Sequence, residues 1–82
     1  MQEQGLLDTI RSGFKDAFGT EPSLVTIDSK PEDIPGWDSL GHAVLTTSLE
    51  KIFNVSFDID ELMAMEDVAA IVEVMQNKLN KS

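Results

Sequence analysis

Gly36-Trp37-Asp38-Ser39-Leu40-Gly41 marks the point where this chain changes character. Upstream, residues 19–38 hold all three prolines (Pro22, Pro31, Pro35) and no sustained helical period. Downstream, apolar residues recur three and four apart, so a helix begins at about Ser39 and runs to Phe53. Asp38 or Ser39 can serve as its N-cap, because either side chain accepts from the amide two or three residues on. A helix start also leaves backbone N–H groups unpaired, and these receive anions such as phosphate. A serine at that junction is displayed rather than buried, which opens its hydroxyl to covalent modification.

The rest of the chain supplies partners for this helix. Leu7, Ile10, Phe14, Ala17 and Phe18 form a stripe at helical spacing, so residues 4–18 read as an amphipathic helix closed by Gly19. The intervening proline-containing loop is long for so small a protein, which points to function, and Leu24, Val25, Ile27 and Ile34 are expected to pin it to the core. In the second helix Leu45, Leu49, Ile52 and Phe53 make the inward stripe, with Leu40 and Ala43 near its start, and Asn54 ends it. Residues 59–65 give a short helix. Asp67 caps a final one carrying Val68, Ile71, Val72, Met75 and Leu79 inward, with Lys78 and Lys81 near its end, where the helix dipole favours cations. Val55-Ser56-Phe57 alternates but is too short to make a strand. The expected fold is all-α: a small four-helix bundle of three main helices and one short one in a single domain, residues 1–82.

Composition sets the limits. The chain has 82 residues, 41% of them hydrophobic, enough for one modest core and too few for a deep enzyme cleft. No apolar run approaches the roughly 20 residues that span a bilayer. Met1-Gln2-Glu3-Gln4 lacks the start of a signal peptide, so a cytoplasmic protein is expected. With no cysteine, disulfides, thiolate metal sites and cysteine nucleophiles are excluded, and any thiol chemistry must come from a cofactor. The net charge of −9 is uneven. Asp58, Asp60, Glu61, Glu66 and Asp67 crowd one short segment, whereas Glu50 and Lys51 cancel within the second helix. Such a surface repels nucleic acid and anionic membranes and steers basic partners, so neither nucleic acid nor membrane is expected as a partner.

In this loop-to-helix setting, Asp38-Ser39-Leu40 resembles the attachment motif of the acyl carrier proteins. The run Leu45, Leu49-Glu50, Phe53, then Val55 to Leu62, then Asp67-Val68 and Ile71-Val72 is similar to the rest of that family, from about Leu6 to Leu79. The resemblance implies a non-enzymatic carrier with a 4′-phosphopantetheine arm on Ser39, added from coenzyme A by a phosphopantetheinyl transferase. A flexible arm keeps a thioester-bound acyl group tethered at high effective concentration while acyl-loading and acyl-processing enzymes act on it in turn. A monomer suits that traffic. The resemblance further implies partner recognition by Asp38, Leu40, Val44, Glu50, Asp60 and Glu61. Asp38 either assists the transferase or only caps the helix, Leu40 is either a partner contact or core, and Trp37 packs the loop end on the bundle.

Fatty-acid carriers usually line the second helix with acids. Gly41, His42, Val44, Thr47 and Lys51 stand there instead, and this favours a specialised biosynthetic pathway, polyketide, nonribosomal-peptide-like or polysaccharide-modifying, over general fatty acid metabolism. Asp58, Asp60, Glu61 and Glu66 can then supply the charge steering. In this family the core can receive an acyl chain, and Met63, Met65 and Met75 can line such a cavity or simply fill an ordinary core.

Other chemistries fit less well. Ser39 and His42 share a helical face as a hydrolase pair would, but position 37 is tryptophan where a nucleophile elbow needs glycine. His42 reads better as a surface residue lining the path of the arm. Asp58, Asp60 and Glu61 lack the glycine of a calcium loop. A peptidyl or aminoacyl carrier would show a glycine-rich entry that Gly36-Trp37-Asp38 does not match. An unmodified acidic helical interaction module, with Ser39 as a cap only, is the competing reading from another class.

Overall fold

A computed structural model describes residues 3–80. Four helices follow in order: α1 (Glu3–Phe18), α2 (Ser39–Phe53), α3 (Ile59–Ala64) and α4 (Val68–Asn80). Two 3₁₀ turns, Pro22–Leu24 and Pro31–Asp33, punctuate the long loop, and the described residues contain no strand. The expected all-α architecture, with three main helices and one short one, is the observed one. Lys81, expected near the end of α4, lies outside the described residues, as do Met1, Gln2 and Ser82.

One core joins all parts. Leu6, Ile10 and Phe14 of α1 meet Leu45 and Leu49 of α2 and Val68, Ile71, Val72 and Met75 of α4, with Val25, Ile34 and Trp37 added by the loop and Met65 by the α3–α4 link. Phe14 is the aromatic centre: its ring lies 5.0 Å edge-on to Trp37 and 6.1 Å from Phe18. Each such fully buried side chain stabilises by about 1.5–3 kcal/mol relative to exposure.

The loop is held by polar ties as well as apolar anchors. Arg11 Nε donates to the Val25 carbonyl at 2.7 Å, Ser29 Oγ accepts from Thr26 N at 2.9 Å, and the Ser29 carbonyl accepts from Val68 N at 3.1 Å. The last of these satisfies an amide at the start of α4, while Asp67 Oδ1 caps Ala70 N at 2.8 Å.

α3 is anchored differently, because none of its own residues is buried. Asp58 and Glu61 form a reciprocal capping box, at 2.8 and 2.9 Å, and Lys78 Nζ of α4 reaches both Glu61 oxygens at 2.8 and 3.0 Å. Lys78 also lies 5.7 Å from the centroid of the Phe57 ring. Net gains from polar ties run at about 0.5–1.5 kcal/mol each, less than one buried leucine, so α3 is the most weakly anchored of the four helices.

Several side chains depart from the sequence expectation. Leu24 does not pin the loop; it is exposed, and Val25 and Ile34 do that work with help from Ile27. Leu40, at 84% exposure, points away from the core, which decides between the two places the sequence left open to it; Ala43 is exposed, and Ile52 is exposed too and drops out of the inward stripe. Thr46 and Ser48 are buried instead: Thr46 Oγ1 donates to the Ala43 carbonyl at 3.1 Å, and Ser48 Oγ donates to Asp16 Oδ2 of α1 at 2.9 Å. Met65 and Met75 are core residues, whereas Met63 is exposed and belongs to no internal cavity.

Candidate functional site

The site is built where the loop enters α2. Gly36, at φ +94°, turns the chain, and Trp37 N donates to the Ile34 carbonyl at 3.2 Å. A Cβ at Gly36 would press on the Phe18 ring at 3.1 Å, and a Cβ at Gly41 would collide with the Gly36 carbonyl oxygen. Loop and helix therefore meet backbone to backbone, and this close approach fixes the residues between them.

Asp38 is the N-cap. Its Oδ1 accepts from Gly41 N at 2.7 Å, and its carbonyl accepts from His42 N at 2.7 Å, which opens the helical ladder. Ser39 follows as the first helical residue, exposed, with the amides of Ser39 and Leu40 in the unladdered first turn. The carboxylate beside Ser39 is thus engaged in holding the helix start, and the capping task belongs to Asp38 rather than to the serine hydroxyl.

Beside Ser39 lies an open cleft of about 560 Å³. Trp37 and Met65, both buried, form its floor; His42, Leu62 and Met63 form its walls, with Pro31, Asp38 and Glu66 at the margin. Met63 enters the site from the short α3 and Glu66 from the α3–α4 link, which no local pattern around Ser39 announces.

His42 was expected to be a surface residue lining the path of the arm. It does line the cleft, but it is half-buried and bridges two elements. Trp37 Nε1–H donates to His42 Nδ1 at 2.9 Å, and since an indole N–H can only donate, Nδ1 must be the acceptor. Nε2 then carries the proton and donates to the Leu62 carbonyl of α3 at 3.1 Å. The two rings lie nearly parallel, 6.2 Å apart and inclined by 20°. With both nitrogens occupied, His42 offers Ser39 no base, and the hydrolase pairing considered from spacing has no geometric support.

The remaining expected site residues disperse. Leu40 and Val44, one turn apart, form an exposed apolar strip on α2. Glu50 lies at the far end of α2, half-buried, where its Oε2 accepts from Phe57 N at 2.8 Å and holds the α2–α3 loop. Asp60 and Glu61 sit on α3 beside Asp58 and Ala64, along a groove against Val74 and Asn77 of α4, away from the Ser39 cleft. No group of three or more metal-ligating side chains is present among the described residues, and Asp58 and Glu61 serve the α3 capping box.

Four helices, a long ordered loop between the first two and a serine displayed at the start of the second define the acyl-carrier type of fold. The chain is similar in structure to the holo acyl carrier protein of Geobacter metallireducens, solved by solution NMR. The TM-score is 0.79 and the identity 29%, over 92% of this chain and 86% of that one. No protein-family model matches the sequence, and no curated protein does either. No helix among the described residues is long and apolar enough to cross a membrane.

Proposed function

We propose that this protein is an acyl carrier whose Ser39 takes a 4′-phosphopantetheine arm from coenzyme A. The observation that carries the reading is Ser39 itself: exposed, first in α2, relieved of capping by Asp38, and at the edge of a cleft. An unmodified module would use the serine hydroxyl to close the helix; here an aspartate does so. The residues fit the group: a free hydroxyl for its phosphodiester, and an apolar, partly polar-walled cleft beside it.

In the loading step Ser39 Oγ attacks the pantetheine-bearing phosphorus of coenzyme A. The new bond is Ser39 Oγ–P, the pyrophosphate P–O bond breaks, adenosine 3′,5′-bisphosphate leaves, and the serine proton passes to a base of the transferase. When bound, the arm supplies the terminal thiol that this cysteine-free chain lacks, and it holds acyl groups as thioesters. The chain's own part is presentation. Asp38 fixes the orientation of Ser39, and the Gly36–Gly41 contact fixes Asp38.

The partners are a phosphopantetheinyl transferase and acyl-loading and acyl-processing enzymes. Leu40 and Val44 offer them an apolar strip beside Ser39 with Asp38 at its start, while Asp60 and Glu61 present acid separately on α3 and Glu50 is drawn into the α2–α3 loop. A docking face so poor in free acid on α2 favours a carrier dedicated to a specialised pathway. Intact-protein mass after incubation with coenzyme A, magnesium and a promiscuous transferase tests the reading. Wild type gains one phosphopantetheinyl group and Ser39→Ala gains none. A folded wild type that gains nothing, beside an active control carrier, overturns it.

A further inference from the structure

We propose that His42 closes the seam between α2 and α3, so that an acyl group tethered at Ser39 lies in the open cleft and stays out of the bundle core. This rests on the carrier reading above and names where the cargo rides.

Ser39 stands on the edge of the cleft, and the cleft floor, Trp37 and Met65, is itself the outer layer of the core. An acyl chain leaving Ser39 for the layer of Leu45, Leu49, Ile71 and Met75 must pass between α2 and α3. His42 projects from α2 into that passage. Its ring accepts from Trp37 Nε1 at 2.9 Å on one side and donates to the Leu62 carbonyl at 3.1 Å on the other. Swinging the ring aside leaves the indole N–H of buried Trp37 without its partner and the Leu62 carbonyl with only the longer bond from Met65 N at 3.4 Å, which resists opening. Behind it, Leu45, Leu49, Ile71 and Met75 are each 0% exposed.

Apolar packing of α3 is not what keeps the seam shut, because α3 buries no residue of its own. Polar ties do: His42 to Leu62 near the end of α3, and Lys78 to Glu61 within it. The cleft suits the cargo. Its volume of about 560 Å³ falls within the roughly 300–1,000 Å³ of small-molecule sites. Met63, 74% exposed on its wall, offers a thioether that adapts to a flexible chain. His42 is therefore a positioning residue that sets cargo location.

The test loads wild type, His42→Gln and His42→Ala with an octanoyl-pantetheine arm from octanoyl-coenzyme A. Methyl and indole N–H chemical shifts are then compared with those of the same proteins carrying the unacylated arm. In wild type, shifts are expected at the Trp37 indole and the Met63 methyl and not at the methyls of Leu45, Leu49, Ile71 and Met75. His42→Gln, whose amide can both donate and accept, should follow wild type, whereas in His42→Ala the shifts should spread to the core methyls. Core shifts in wild type overturn the proposal, as does an unchanged pattern in a folded His42→Ala. Should His42→Ala fail to fold, the core methyls of wild type and His42→Gln decide alone. Absence of any mass gain on loading is a different failure: it removes the carrier reading and the proposal with it.

Discussion

Replacing Gly41 with alanine sets helix propensity against the packing that builds the site. On propensity alone the change should stabilise α2, since alanine is favoured over glycine by up to about 1 kcal/mol within a helix. The structure reverses the sign. The added Cβ would collide with the carbonyl oxygen of Gly36 and meet the Phe18 ring at 3.1 Å. A carbonyl cannot step aside as a side-chain tip can. This one is held by the hydrogen bonds from Trp37 N to Ile34 and from Asp38 N to Gly36. Overpacking costs about 1–3 kcal/mol, and an immovable neighbour puts this site at the upper end. Subtracting the propensity gain leaves a net loss of about 2 kcal/mol. For a chain of this size that lowers the melting temperature by about 8–16 °C. It also takes a sizeable share of a total stability of roughly 4–12 kcal/mol. Far-UV circular dichroism during heating and urea titration measure it. Gly13→Ala is the control, because there the added Cβ meets Leu49 Cδ2 at 2.5 Å, the end of a flexible side chain, and the loss should be the smaller one. A Gly41→Ala protein that melts at or above the wild-type temperature refutes the claim that loop and helix are locked backbone to backbone.

Asp38→Ala should cost about 1 kcal/mol in urea unfolding by removing the cap on Gly41 N, while Asp38→Asn, which keeps an acceptor, should lose much less. Ser39→Ala should change stability by under about 0.5 kcal/mol, since the hydroxyl is exposed and caps nothing; a larger loss would assign the serine a structural role. Phe14→Ala removes the aromatic centre of the core and should cost about 3–5 kcal/mol, the largest loss of this set, seen as a large drop in melting temperature by calorimetry or dichroism. Lys78→Ala should lower global stability by no more than about 1 kcal/mol, yet hydrogen exchange of the α3 amides should quicken well before that of α4.

The helices were legible because their punctuation is local. Gly19, Asp38, Asn54 and Asp67 each act through backbone geometry or a capping oxygen within a few residues, so these helix ends could be read without tertiary knowledge; Asp58, which caps α3, was read only as a charge. Faces were harder. Leu40 is five residues before Leu45, which at about 100° per residue turns it about 140° from the inward stripe. Hydrophobicity left it open between core and partner contact; the helical angle already placed it out. Ser48 is buried because it meets Asp16 across the α1–α2 contact, where Gly13 lets Leu49 approach, and nothing within α2 signals that.

The site divides in the same way. Asp38 and Ser39 are defined by the cap and were visible. The bridge from Trp37 through His42 to Leu62 ties His42 to a carbonyl twenty residues on, a pairing that only the packed bundle creates. Glu50 illustrates the converse: a charge that looks available in sequence is engaged by the amide of Phe57.

The carrier reading turns on which hydroxyl is modified, and tandem mass spectrometry of wild-type protein loaded from coenzyme A answers that most directly. The account predicts a single phosphodiester-linked arm, released on fragmentation from the peptide that contains Ser39. An arm found on Ser12, Ser23, Ser29, Ser48, Ser56 or Ser82, or none on a folded protein, contradicts it.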